Sequence, residues 1–152
     1  MTPATRIQNY LLLHLSREFP GLDCWRANVV GRGVSLVAAG EPGQADLTGV
    51  WGGCRFCGAT KDHPDHTAHD YRPQGRSVWI EVKSPGDSQS PTQRDFERRV
   101  TRLGALYILC RVRKRETVAE LERIAALPPK ARAGAPHPAE ISAFFGELRG
   151  RL

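Results

Sequence analysis

The chain of 152 residues is 40% hydrophobic and 25% charged, which excludes a disordered or fibrous protein and supplies one apolar core without staples. The 22 Lys and Arg against 16 Asp and Glu leave a formal charge of +6, so a polyanion such as nucleic acid is the favoured class of partner. The longest early apolar run, YLLLHL, is too short to span a bilayer and lacks the basic lead of a signal peptide, so a cytoplasmic protein with no membrane partner is expected.

Residues 3 to about 19 carry Ile7, Tyr10, Leu11, Leu15 and Phe19 at helical spacing, and Pro20 and Gly21 close the pattern. Three strand patterns follow over 22–30, 33–39 and 45–51, separated by Gly-rich turns, as a small meander. Residues 52–75 lose all periodicity and read as an insert. The stretch 77–83, SVWIEVK, resumes as a strong strand: Val78, Ile80 and Val82 point to the core, and Trp79, Glu81 and Lys83 point to a face read as open. SPTQRDFERRVTRLG has Phe96, Val100 and Leu103 on one helical stripe and Gly104 at its end, ALYILC is an apolar strand, and TVAELERIAAL is a further helix. A strand, a helix and a strand in close succession predict a parallel crossover, hence an α/β fold with a mixed sheet flanked by helices. Residues 1–126 form the main domain in this reading. Residues 127–152 are a linker and a short helix whose stripe of Ile141, Phe144, Phe145 and Leu148 is expected to dock on the core.

Candidate chemistry starts from the E-x-K pair. Magnesium or manganese is held by a few carboxylate or carbonyl oxygens, with space left for water and a phosphate oxygen. Asp46, at the head of the preceding strand, supplies a second carboxylate beside Glu81 if the two strands pair. Lys83, two residues after Glu81 on the same face, brings a cation that stabilises developing charge or orients a water. Two roles are open to Gln93: the N3 member of a capping box begun by Ser90, or a contact to Glu81 and Lys83. Arg94, Arg98 and Arg102 form a stripe that is either solvated or touches nucleic-acid phosphates.

Taken in order, GQADLTG, WIEVK, SPTQRDF and RLGALYIL resemble the VRR-NUC branch of the PD-(D/E)XK nuclease superfamily, with RIQNYLLLHL and WRAN as its first helix and strand. The resemblance covers residues 1 to about 112. It implies a restriction-endonuclease-like core and a metal-dependent endonuclease acting on DNA; whether the substrate is branched, single-stranded or duplex DNA or RNA, and whether the role lies in repair, recombination, phage or mobile-element processing, is left open. It also implies that Asp46, Glu81 and the Val82 carbonyl hold magnesium or manganese, that Lys83 serves the attacking water, and that Gln93 assists. The family commonly carries an acid on the first helix, whereas the first acid here is Glu18 and Gln8 is a neutral candidate for that position. A catalytically weak, zinc-stabilised nucleic-acid-binding module is the alternative. The number of catalytic ions and the formation of homo-oligomers are left open.

Within the insert, Cys54 and Cys57 precede His63, His66 and His69, and four of these five are expected to hold a structural zinc ion. Cys24 and Cys110 lie in apolar strands and are read as buried residues. A nuclease of the HNH type is a poor reading, because no Asn follows Asn28 and His137 is the only His after His69.

Overall fold

The first helix starts where its caps dictate: Thr2 accepts a hydrogen bond from the Thr5 amide at 3.2 Å, and Pro3 occupies the first turn, where a missing N–H costs nothing. The computed structural model describes residues 1–27, 44–54, 57, 72 and 74–152. In chain order the elements are α1 (Pro3–Glu18), β1 (Leu22–Arg26), β2 (Leu47–Trp51), β3 (Arg76–Lys83), α2 (Pro91–Arg102), β4 (Leu106–Arg111), α3 (Arg115–Ala125), α4 (Pro129–Gly134) and α5 (Ala139–Arg151). The strand expected over 33–39 and residues 28–30 of the first strand lie outside the described residues.

The strands form a mixed sheet in the order β1-β2-β3-β4, antiparallel at the first two junctions and parallel at the third. Parallel pairing of β3 with β4 requires a crossover, and α2 provides it. The fold is therefore α/β, a four-stranded mixed sheet flanked by helices. One sheet face presents Leu47, Val78, Ile80, Val82 and Ile108 to α1, α3 and α5 in a single core. The apolar stripe of α5 is buried in that core, with Phe145 edge-on to Phe19 at 5.7 Å. On the opposite face α2 covers β3 and β4, where Phe96 packs 5.1 Å from Trp79 and 6.3 Å from Tyr107.

Two boundaries differ from the sequence pattern. The expected linker contains α4, begun by Pro129 in the first turn and followed by the helix formers Lys130, Ala131 and Arg132. Helix α3 starts at Arg115, two residues early; Lys114 makes no side-chain cap, and the Glu140 carboxylate of α5 holds this end of the helix, accepting from the Lys114 amide at 3.4 Å. It also accepts from the Arg113 amide at 2.8 Å and from Thr117 Oγ1 at 2.7 Å.

At the other end of α1, His14 is buried, stacked on Tyr10 at 4.3 Å and edge-on to His137 at 5.0 Å. Neither ring nitrogen finds a hydrogen-bond partner among the described residues. Burial lowers its pKa from 6.5 to about 4, and the charges of His137 and Arg17 push the same way. Between those two values the unfolded chain binds a proton that the folded chain refuses, so stability is lost as pH falls through the window. His14→Phe keeps the ring stack and removes that sensitivity. Thermal melts at pH 4.5 and 7.5 should therefore show a smaller gap for the variant than for the wild type, and equal gaps would contradict the assignment.

Candidate active site

Pairing of Leu47 with Ile80 and Thr48 with Trp79 fixes the register of β2 on β3. Carrying it one residue further sets Asp46 opposite Glu81, both on the face turned away from α3 and α5. Asp46 is held at both oxygens: Oδ2 accepts from the Val82 amide at 2.8 Å and Oδ1 from Gln8 Nε2 at 2.9 Å. A strand residue's amide and carbonyl leave on the same side, so the Val82 carbonyl also faces the Asp46 edge.

Around Glu81 the donors converge. Its Oε1 accepts from Lys83 Nζ at 2.7 Å and from Gln93 Nε2, and the Tyr107 hydroxyl donates to Oε2 at 3.4 Å. Gln93 performs both roles that its sequence position left open. Its Oε1 accepts from the Ser90 amide at 2.9 Å, completing the capping box with the 3.2 Å bond from the Gln93 amide to Ser90 Oγ. The same oxygen accepts from Lys83 Nζ at 2.7 Å. The turn Ser84–Pro85–Gly86–Asp87 redirects the chain from β3 toward α2. Gly86 takes φ +87° there, a left-handed conformation that favours glycine, and Asp87 N donates to Ser84 O at 2.9 Å.

The face expected to be open is not open at the site. Glu81 is 1% exposed and Lys83 6%, while Asp46 is half-buried. The physical reason is α2: its Phe96 lies on Trp79 and Tyr107, which brings the capped N-terminus of the helix down over the E-x-K pair. A buried ammonium beside a buried carboxylate is tolerated because each is paired and hydrogen-bonded.

The remaining sequence candidates fall elsewhere. Arg94, Arg98 and Arg102 lie on the side of α2 opposite Phe96 and Val100. Arg94 Nη1 donates to the Gln89 carbonyl at 2.6 Å and Arg98 pairs with Asp95. Glu18 is distant from the carboxylates, tied to His137 at 3.3 Å and to Arg149 at 3.6 Å. Gln8 holds the first-helix position beside Asp46 instead. Cys54 is buried and Cys57 exposed, and His63, His66 and His69 lie outside the described residues. Cys110 is in the core and Cys24 packs against it, where burial raises the Cys24 thiol to about 12. None of these four cysteines is in a disulfide. Among the described residues no group of three or more His, Cys, Asp or Glu side chains is arranged to hold an ion. The oxygen set at the site is two carboxylates and a carbonyl, a hard donor set suited to magnesium or manganese. No helix among the described residues is long and apolar enough to cross a membrane.

Sequence reasoning missed Tyr107 and Gln89, whose Nε2 donates to the Tyr107 hydroxyl at 3.3 Å and to Glu97 at 2.7 Å. The available signal was a lone hydroxyl in the otherwise apolar strand ALYILC. Comparison with family models, with curated proteins and with solved structures finds no match to this chain.

Burial raises the pKa of Asp46, against the Val82 amide and the Lys83 charge, and burial with the Asp46 charge raises that of Glu81 against Lys83. A carboxyl raised in the folded state costs nothing below its unfolded pKa. Its penalty then grows as pH rises through the folded value. Asp46→Asn keeps an acceptor for the Val82 amide and removes the charge. In metal-free buffer it should melt higher than wild type at pH 8, with the difference fading toward pH 4. A gain that is absent at pH 8, or constant across pH, would show that Asp46 carries no such penalty.

Proposed function

We propose that the chain is a divalent-metal-dependent DNA endonuclease of the PD-(D/E)XK type, as the resemblance to the VRR-NUC branch implies. The observation that supports this reading is the meeting of Asp46 and Glu81 on neighbouring strands, with Lys83 and Gln93 converging on the same carboxylate. Asp46, Glu81 and the Val82 carbonyl would hold magnesium or manganese, which when bound supplies Lewis-acid stabilisation of the phosphoryl oxygens and a more acidic water. Lys83, held by Gln93 Oε1 and Glu81, keeps a fixed cation where negative charge develops on the scissile phosphate. Gln93 positions both, since one side chain bonds each. Water adds to phosphorus and the 3′ oxygen leaves with a proton, giving 5′-phosphate and 3′-hydroxyl ends. The restriction-endonuclease-like identity of the core, a zinc ion in the insert and a cytoplasmic location belong to this proposal.

One observation favours the alternative, a catalytically weak nucleic-acid-binding module. The resemblance implies an acid on α1, whereas the α1 residue at Asp46 is Gln8, whose amide donates to Asp46 Oδ1. Cleavage by the wild type separates the two readings: an active nuclease cuts with magnesium, and Gln8→Glu lowers the concentration needed for half-maximal cleavage, whereas a site disabled by the missing acid cuts only as Gln8→Glu.

From a panel of labelled single-stranded, duplex and branched DNA incubated with magnesium or manganese, at least one structure should be cut, and excess chelator should stop the reaction. Asp46→Asn, Glu81→Gln and Lys83→Ala should each raise the barrier by about 3 kcal/mol or more. Lys83→Ala also leaves Glu81 buried without its cation, so its rate is compared at a temperature where circular dichroism shows it folded. Gln93→Ala should lose about 1 kcal/mol of stability from the cap and also turn over more slowly. Cleavage that survives chelator, or a fully active Lys83→Ala, would sink the mechanism.

For the insert, protein purified without added metal should contain about one zinc per chain by elemental analysis, and Cys54→Ser with Cys57→Ser should release it. Glu81→Gln should leave the zinc content unchanged. Wild-type protein without zinc would return the cysteines and histidines to ordinary polar roles.

A further inference from the structure

Glu81 is gripped at both ends of its carboxylate. Lys83 Nζ at 2.7 Å and Gln93 Nε2 bond Oε1, while Oε2 meets the Tyr107 hydroxyl at 3.4 Å. The last torsion of a glutamate is soft, with no sharp staggered wells, so the plane of the carboxylate is set by its hydrogen bonds and not by its rotamer. Donors on one oxygen leave the other free to swing about it. Among the described residues, the Tyr107 hydroxyl on Oε2 is therefore the contact that stops this turn.

Packing does not explain that hydroxyl. The Tyr107 side chain is 2% exposed in the apolar cluster with Ala45, Phe96 and Val100, where a phenylalanine ring would fill the same space. Burying the extra oxygen costs free energy that only its hydrogen bonds offset. The direction of those bonds is fixed from α2. Glu97 accepts from Gln89 Nε2 at 2.7 Å, and because an ionised carboxylate only accepts, the end of the Gln89 amide that faces it is the nitrogen. The same nitrogen stands 3.3 Å from the Tyr107 oxygen and can only donate to it. Tyr107 accepts there, and its one proton is left for Glu81. The charge of Glu97, a half-buried helix residue, thus sets the direction of a chain that ends on a carboxylate 1% exposed. At 3.4 Å the last contact is long for a hydroxyl donor, and contacts of this kind often tighten in the working complex.

We infer that Tyr107 is a positioning residue for Glu81, aimed by Gln89 and Glu97, and that it holds the carboxylate in one plane for a divalent ion. The inference rests on the nuclease reading for the presence of that ion. It extends the candidate site to residues that touch neither the ion nor the substrate. Donors standing behind a ligating carboxylate are worth about 10- to 100-fold in metal affinity or activity.

The test is manganese binding to the full chain without nucleic acid, by calorimetry, with Glu81→Gln as the blank for ion held elsewhere. Tyr107→Phe keeps the ring and removes only the hydroxyl, so it should weaken manganese binding about 10- to 100-fold. Glu97→Gln lets the Gln89 amide turn and offer its oxygen to Tyr107, which draws the proton away from Glu81. Manganese binding should then weaken about 2- to 10-fold, as for loss of one hydrogen bond. Made in the Tyr107→Phe background, the same change at position 97 should have no further effect, because the hydroxyl through which it acts is gone. Should Tyr107→Phe not fold, Glu97→Gln on the helix surface decides alone. Manganese affinity unchanged in either single variant, or an equal loss from Glu97→Gln with and without the hydroxyl, overturns the inference and leaves the nuclease reading in place. A wild type that binds no manganese and cuts no DNA removes the nuclease reading and this role together.

Discussion

The antiparallel pairing of β2 with β3 is the constraint on which the candidate site depends. Slipping it by one residue would turn Leu47 out of the core and move Asp46 to the wrong face, because side chains alternate with a period of two. What prevents the slip is burial. Leu47, Val78, Ile80 and Val82 are all within the core beneath α1, α3 and α5, and exposing four such side chains would cost several kcal/mol. The polar arrangement is therefore set by apolar packing on the opposite face. The Asp46 bond to the Val82 amide closes the end of a ladder that hydrophobic burial has already aligned.

Charge accounts for the next level. The formal charges of Asp46, Glu81 and Lys83 sum to −1 around a buried Glu81 and a half-buried Asp46, and burial raises the pKa of both carboxyls. Such a cluster is stabilised by added positive charge more than an exposed one would be, since the effective dielectric is lower. The neutral Gln8 makes it less negative than a third acid would. That neutral side chain satisfies Asp46 Oδ1 without adding repulsion, so the chain folds with its carboxylates already hydrogen-bonded. Under the proposed reading, an ion at Asp46 Oδ1 would share that oxygen with the Gln8 amide.

Much of this was legible in the sequence because it rests on periodicity and local chemistry. The alternation of SVWIEVK, the helical spacing of Ile7, Tyr10, Leu11 and Leu15, the capping box at Ser90 and the glycine ending α2 each express a rule that acts within a few residues. Gly104 does sit beyond the helix at φ +89°, with the Ala105 amide bonded back to the Val100 carbonyl. What was not legible depends on elements distant in the chain. The E-x-K face read as open because alternation tells which side of a strand is polar and cannot tell that α2 returns to cover it. Glu140 holding the start of α3 and Gln8 reaching Asp46 span 27 and 38 positions, and neither leaves a local pattern. Tyr107 was hidden by the opposite problem, a hydroxyl within a strand whose other residues all call for burial.

The C-terminal segment illustrates how far such distant contacts reach. By pattern, residues 127–152 are a linker and a short helix docked on the core, and they also hold the second half of α1 at several points. Phe145 packs on Phe19, His137 bonds the Tyr10 hydroxyl at 2.8 Å and faces Glu18, and Arg149 pairs with Glu18. Gln8 is two residues from Tyr10 on the same helix. A helix moves as a rigid unit over that distance, so the lie of α1 that lets Gln8 meet Asp46 is fixed in part from the far end by α5 and the chain before it. The first acid of the chain, Glu18, lies at the far end of α1 from the carboxylates and serves this clamp. Position along a helix has thus divided the labour of α1, with a neutral amide turned to the candidate site and the charged residue turned to the segment that holds the helix in place.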